Sequence, residues 1–172
     1  MHSLHCYLIA LGSNRRHSRY GGPTTILKAA LQELNAHGVN VVNSSTILQT
    51  APVGPSIRQF ANSVAYVETV LAPQELLNKL KIIEQKYGKR RGQRWSARTL
   101  DLDIIAWNGG IFVSSTLAIP HQLFRTRKFV LEPLNQIAPN WCDPLSRLTI
   151  RQIYAQLQKK IPKEVDRCVQ AD

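Results

Sequence analysis

Two aspartates, Asp101 and Asp103, stand one residue apart in the stretch Arg94-Trp-Ser-Ala-Arg-Thr-Leu-Asp-Leu-Asp-Ile-Ile105. In an extended strand, residues two apart point to the same face, about 6.6–6.8 Å apart by rise per residue. The spacing therefore puts both carboxylates on one face and Leu100, Leu102 and Ile104 on the opposite, buried one. Carboxylates so placed can hold one or two hard cations, and magnesium takes one or two carboxylates together with phosphate oxygens. Paired metals about 3.5–4 Å apart recur in displacements at phosphorus. The same pattern also describes an ordinary half-exposed strand with two solvated aspartates, so the neighbours matter. Arg94 and Arg98 precede the pair, and Lys89, Arg90 and Arg91 come just before those. Metal-binding carboxylates beside guanidinium groups are the arrangement used in phosphoryl-type transfer, where catalysis is mostly positioning and charge stabilisation. There is no Walker-type phosphate loop, no protein-kinase signature and no nucleophile elbow. His121 follows Pro120 beside the cluster Arg125, Arg127 and Lys128, where a phosphate contact and a capping or surface role are both open.

The elements that must position these residues can be read from periodicity. Residues 5–11 read as a buried strand, followed by a polar, Gly-rich loop over 12–22. Thr24 or Thr25 offers an N-cap side chain to a helix carrying Ile26, Leu27, Ala30, Leu31 and Leu34, and Gly38 suits its end. Residues 39–49 read as one β-branched strand, broken by the turn residues of 51–56. Residues 59–70 form another, with Val64, Tyr66 and Glu68 on one face and Val67 on the other. Pro73, placed as a first helical residue, opens a helix that turns Leu76, Leu77, Leu80 and Ile83 to the core and ends near Gly88. A strand over 99–107 and the tight turn Asn108-Gly-Gly follow.

The order strand, helix, strand, strand, helix, strand is that of an α+β, ferredoxin-like βαββαβ core, an antiparallel sheet with both helices on one face. Extra C-terminal helices are expected near 126–137 and 149–159, the second packing Ile150, Ile153, Tyr154 and Leu157 on the body. One domain over 1–160 is expected, with a basic polar tail over 161–172. Such a fold names no function by itself.

Composition bounds the partners. At 172 residues and 44% hydrophobic, the chain is long and apolar enough for one sizeable core, which excludes low-complexity disorder. The apolar run 7–11 is too short for a signal-peptide core or a membrane span. Three scattered cysteines, Cys6, Cys142 and Cys168, form no CxxC and fit reduced thiols, so a cytoplasmic address is expected. Lys plus Arg total 22 against 11 acidic residues, a formal charge of +11, and this balance calls for an anionic partner. Nucleic acid is a poor candidate: no strand carries an RNP-type pattern, and aromatics make up only 7%.

Several motifs, in order from residue 7 to residue 154, give the chain a close resemblance to the 6-hydroxymethyl-7,8-dihydropterin pyrophosphokinase family. They are Ala10-Leu-Gly-Ser-Asn14, Thr50-Ala-Pro-Val-Gly54, Phe60-Ala-Asn62, the Arg94–Asp103 segment, and Ile119-Pro-His-Gln-Leu-Phe-Arg-Thr-Arg-Lys-Phe129. The resemblance implies the family's ferredoxin-like fold and transfer of the terminal pyrophosphate of ATP to the hydroxymethyl oxygen of the pterin, releasing AMP. It implies two Mg2+ ions held by Asp101 and Asp103, with Arg98 and Lys89 on the transferring phosphates. It places Leu77, Glu84, Arg91, Arg94, Trp95, Arg98, Ile104, His121 and Arg127 at ATP. Phe60 and Phe129 match the rings that sandwich the pterin, while Thr50, Pro52, Val53, Gly54, Asn62 and Trp95 match the remaining pterin-binding positions. ATP and the pterin are the partners so implied, with no nucleic acid or membrane and a monomeric, lone catalytic unit expected. Two departures stand out: Ser96-Ala97 replaces the family's usual Gly-Pro, and the Arg-rich 15–19 loop replaces a short Leu-Gly-Asp turn.

Overall fold

The computed structural model describes residues 3–50, 60–88 and 99–160. Strand β1 (His5–Ser13) leads through a loop into helix α1 (Pro23–Ala36), then strands β2 (Asn40–Ser44), β3 (Leu48–Thr50) and β4 (Phe60–Thr69). Helix α2 (Pro73–Lys86), strand β5 (Asp101–Trp107) and a small hairpin of β6 (Phe112–Val113) and β7 (Ala118–Ile119) follow. A 3-10 turn at Phe124–Thr126 precedes helices α3 (Lys128–Ile137) and α4 (Ile150–Lys160).

The main sheet runs β2-β4-β1-β5, with β3 also paired to β4, and every pairing is antiparallel. This is the strand order of a split βαβ fold, so the expected ferredoxin-like architecture is the one observed. Side-chain alternation along the strands feeds two apolar layers. Tyr7, Ile9, Leu11, Ala65, Val67, Leu102 and Ile104 face α1 and α2, where Ile26, Leu27, Leu34, Leu76, Leu80 and Ile83 complete the first core. Leu8, Val64, Ile105 and Ala106 face the other way, against Phe124 and residues Val130, Leu131, Leu134, Ile150 and Ile153 of α3 and α4. The C-terminal helices thus cover the sheet face that α1 and α2 leave open.

Three local details differ from the sequence reading. Helix α1 starts at Pro23 with Gly22 as its N-cap, and no side chain caps it; Thr24 and Thr25 fall inside the first turn, because Pro at the first position already sets a helical φ. The single strand expected over 39–49 is two strands. Ser45 breaks it: its Oγ accepts from the Val64 N–H at 3.0 Å and lies 3.1 Å from Ser63 Oγ, so a side chain substitutes for a ladder partner. Thr46 then turns to α3, donating from its N and Oγ1 to Gln136 Oε1 at 3.1 and 2.9 Å. Third, the register of β5 shifts against β1: Ile9 pairs with Ile104 but Leu8 with Ala106. Ile105 is the extra residue, and this bulge sends both Ile105 and Ala106 into the second core.

Candidate active site

The register brings the motif residues into rows. Gly12 of β1 pairs with Asp101 of β5 on one side and Asn62 of β4 on the other, and Asn62 in turn pairs with Leu48 of β3. In the next row Ala10 lies between Asp103 and Val64. Phe60, Asn62 and Val64 alternate onto one face of β4, and Val64 belongs to the core beneath α3 and α4. Asp101, Asp103, Asn62 and Phe60 therefore share the face that the C-terminal helices cover. Glycine at position 12 matters for space: a Cβ there would sit 3.7 Å from Asn62 Oδ1 and 4.0 Å from the Asp101 Cβ. Without it, an open floor lies between the amide and the carboxylate. The Ala10–Asn14 motif is legible in the sequence, but the role of Gly12 in it is not, because it depends on two partners 50 and 89 residues away in the chain.

His121 approaches from the segment after β7. Its backbone N–H donates to the Ile105 carbonyl at 2.9 Å, which anchors the segment to the outer edge of β5. Its Nδ1 accepts from the Leu123 N–H at 3.2 Å, which leaves Nε2 to carry the proton of the neutral ring. Burial holds the His121 pKa below the ordinary imidazole value; Asp103 and Asp101 act against that, and Arg127 adds to it. One ring thus senses both carboxylates and the guanidinium, which places all four groups in one electrostatic neighbourhood. The Arg127 guanidinium lies 5.8 Å over the Phe129 ring, and Phe129 packs at the margin of the second core.

A cavity of about 520 Å³ opens beside Phe60, between Asn14, Arg15 and Arg16, the first turn of α1 at Pro23 and Thr24, and Gln49 of β3. Asp101 and Asp103 are not among its described walls. The Arg-rich loop closes on itself beside it, with His17 and Gly21 exchanging backbone hydrogen bonds at 2.8 and 2.9 Å.

The sequence-derived residues divide by side of the sheet. Asp101, Asp103, Asn62, Phe60, Phe129, His121 and Arg127 come together on the face under α3. Ile104 and Leu77 instead belong to the α1–α2 side, Ile104 buried and Leu77 packed at its margin. Glu84 is also buried on α2, and it touches β5 from the edge. Thr50 pairs its backbone with Phe60. Pro52, Val53, Gly54, Lys89, Arg91, Arg94, Trp95 and Arg98 lie outside the described residues.

The donor set suits a hard cation. Two half-buried carboxylates and an amide share one sheet face, with a histidine in their electrostatic neighbourhood and no thiolate among them. Among the described residues no group of three or more His, Cys, Asp or Glu could hold a metal by itself. A cation at Asp101 and Asp103 would therefore take its remaining oxygens from a phosphate ligand and water, as magnesium usually does.

Comparison with known proteins agrees with this arrangement. Residues 8–139 match the family model described as 7,8-dihydro-6-hydroxymethylpterin-pyrophosphokinase. A 2-amino-4-hydroxy-6-hydroxymethyldihydropteridine pyrophosphokinase of Synechocystis sp. is 36% identical over 154 residues, which cover 89% of this chain and 76% of the relative. One of the same name from Bacillus subtilis is 40% identical over 131 residues, 75% of each chain. Among solved structures, Plasmodium falciparum HPPK-DHPS superposes with a TM-score of 0.68 at 17% identity, over 90% of this chain. This chain spans 41% of that protein, and the likeness bears on fold alone. The match covers the β1, β4 and β5 strands and the His121–Phe129 segment that build the site, so the chain belongs to the 7,8-dihydro-6-hydroxymethylpterin-pyrophosphokinase family.

Proposed function

We propose that the protein transfers pyrophosphate from ATP to the hydroxymethyl oxygen of 6-hydroxymethyl-7,8-dihydropterin, releasing AMP, as a step of folate synthesis. The hydroxymethyl oxygen bonds to the β-phosphorus, the bond from that phosphorus to the α-bridging oxygen breaks, and the hydroxyl proton is lost. One observation carries the reading: two carboxylates, an amide and a histidine with a guanidinium beside it meet on one sheet face, over a floor left open by Gly12.

Asp101 and Asp103 would hold two Mg2+ ions, whose chemistry there would be neutralisation of charge on the phosphates. Phe60 and Phe129 stack on the pterin, and Asn62 with the segment Thr50, Pro52, Val53 and Gly54 reads its polar edge. His121 donates from Nε2 to a phosphate oxygen, and Arg127 adds its positive charge there. Lys89, Arg91, Arg94, Trp95 and Arg98 complete the phosphate and ATP contacts, which leaves the strongly basic balance of the chain with an anionic partner to explain it. Leu102 and Ile104 share a parity, so the backbone groups of Ile104 point off the outer edge of β5, where an adenine ring can be read. Leu77 of α2 packs at the margin of the first core. The unit is a monomer of one domain over 1–160, acting in the cytoplasm without nucleic acid or membrane. No helix among the described residues is long and apolar enough to cross a membrane.

The test is AMP formation from ATP and Mg2+, with and without the pterin. AMP that appears only with the pterin is the expected result; release of ADP, or no turnover by folded protein, overturns the reading.

A further inference from the structure

Among the described residues, strand β5 is an edge strand: β1 pairs with it on one side, and no described strand of the sheet pairs with it on the other. Backbone groups pointing off that outer edge must find partners elsewhere or meet water. Two of them are held. The Ile105 carbonyl accepts from the His121 N–H at 2.9 Å. The Leu102 N–H donates to Glu84 Oε1 at 2.8 Å, across from α2. Leu102 is the residue between Asp101 and Asp103, so its peptide unit sets the orientation of both carboxylates.

Glu84 is built for that contact. It is 8% exposed, one turn after the buried Leu80, so the bond forms away from water. Its second oxygen, Oε2, accepts from Lys81 Nζ at 2.9 Å, which turns Oε1 toward the strand and supplies a counter-charge. A charge-assisted bond to a backbone amide is stronger than a neutral one. The family resemblance would place Glu84 at ATP, but both carboxylate oxygens are engaged inside the protein, on the face of β5 opposite to Asp101 and Asp103.

We infer that Glu84 is a positioning residue: through the Leu102 amide it fixes the section of β5 that aims Asp101 and Asp103 at the metal-bound triphosphate. The inference rests on the reading of those two aspartates as the metal ligands given above. Groups that orient metal ligands from behind typically change metal affinity about 10–100-fold when removed.

The experiment compares the whole protein with Glu84→Ala and Glu84→Gln, the second keeping an acceptor oxygen. Mn2+ binding is measured by the electron-spin signal of free Mn2+, in the presence of a non-hydrolysable ATP analogue. Amide hydrogen exchange is followed at Leu102 and, as a control, at Ile9. Glu84→Ala is expected to weaken Mn2+ about 10–100-fold, to speed exchange at Leu102 but not at Ile9, and to leave KM for the pterin unchanged. Glu84→Gln is expected to recover most of both losses. Unchanged Mn2+ affinity in Glu84→Ala overturns the inference. So does a Glu84→Gln variant as impaired as Glu84→Ala with a raised KM for ATP, the signature of a direct ATP contact. Should Glu84→Ala not fold, rapid exchange of the Leu102 amide in the unaltered protein overturns it without any variant. Asp101→Asn serves as the reference: if Mn2+ binds the unaltered protein and Asp101→Asn equally, the reading of the metal site has failed, and the inference fails with it.

Discussion

Asp143, in the connection between α3 and α4, carries the prediction that can be worked furthest. Its side chain is 0% exposed. Arg125 donates to it from Nε at 2.8 Å and from Nη2 at 2.6 Å, and the Ser146 backbone N–H donates at 3.0 Å. The Ser146 hydroxyl adds a further bond. Burial alone would raise its pKa, but the bonds from Arg125 and Ser146 outweigh it and bring the group down from 3.8 to about 2. A depressed carboxylate pKa contributes stability that is fully present above the unfolded value and lost as pH falls toward the folded one. The window is therefore about pH 3.8 down to 2, and the contribution is about 2 kcal/mol at 1.36 kcal/mol per unit. Removing the carboxylate costs at least that, since the Arg125 guanidinium, whose side chain is 25% exposed, and the Ser146 N–H at the surface both lose their buried acceptor and turn to water instead. About 2–3 kcal/mol is expected for Asp143→Ala, a fall in Tm of about 5–10 °C for a chain of this size. Thermal and urea unfolding at pH 7 measure this, and urea midpoints stepped from pH 4.5 to 2 measure the linkage, with Asp143→Asn expected to lose that slope. A melt of Asp143→Ala within about 2 °C of the parent, or identical acid slopes for parent and Asp143→Asn, would refute the argument. Arg125 lies between His121 and Arg127 in the chain, so the expected functional companion is a raised KM for ATP.

Three more predictions concern the site and its supports. Asp103→Asn keeps size and strand register but removes a charge from the metal site, so turnover should fall below a few per cent of the parent with Tm unchanged; activity above that level argues against the metal assignment. Gly12→Val should fold, because the backbone there needs no positive φ and the nearest atoms to a Cβ are at 3.7 Å or beyond. Its branched side chain would fill the floor between Asn62 and Asp101, so steady-state kinetics should show a large loss in kcat/KM, and near-normal catalysis would count against that floor. Ser45→Ala leaves the buried Val64 N–H without its side-chain acceptor, which should cost about 1–3 kcal/mol in urea unfolding; a change under 0.5 kcal/mol would mean that water replaces the hydroxyl.

Much of this molecule is legible in its residues one neighbourhood at a time. The four long elements β1, α1, β4 and α2, and the order strand, helix, strand, strand, helix, strand, follow from alternation at period 2 and apolar recurrence near 3.6, properties a short segment shows by itself. The same alternation places Asp101 and Asp103 on one face and Leu102 and Ile104 on the other, as the two cores show. Where the local reading slipped, a non-local partner had intervened. The 39–49 stretch carries β-branched residues on both sides of its polar Asn43-Ser44-Ser45 run, and the break at Ser45 answers to Ser63 and Val64 across the sheet. The bulge at Ile105 arises from register against β1, and no turn residue announces it.

The sequence by itself determined the family, the elements and the pair of carboxylates, because each depends on residue type at short or fixed spacing along the chain. Only the tertiary structure decided that Gly12 leaves a floor between Asn62 and Asp101, that His121 sits among two carboxylates and a guanidinium, and that Glu84 holds the amide between the two aspartates. Apart from His121 and Arg127, those relations join residues 18 to 89 positions apart, and they exist only once strand register and helix packing have brought the partners together, because hydrogen bonds and charge interactions act over a few ångströms of space and not over distance in sequence.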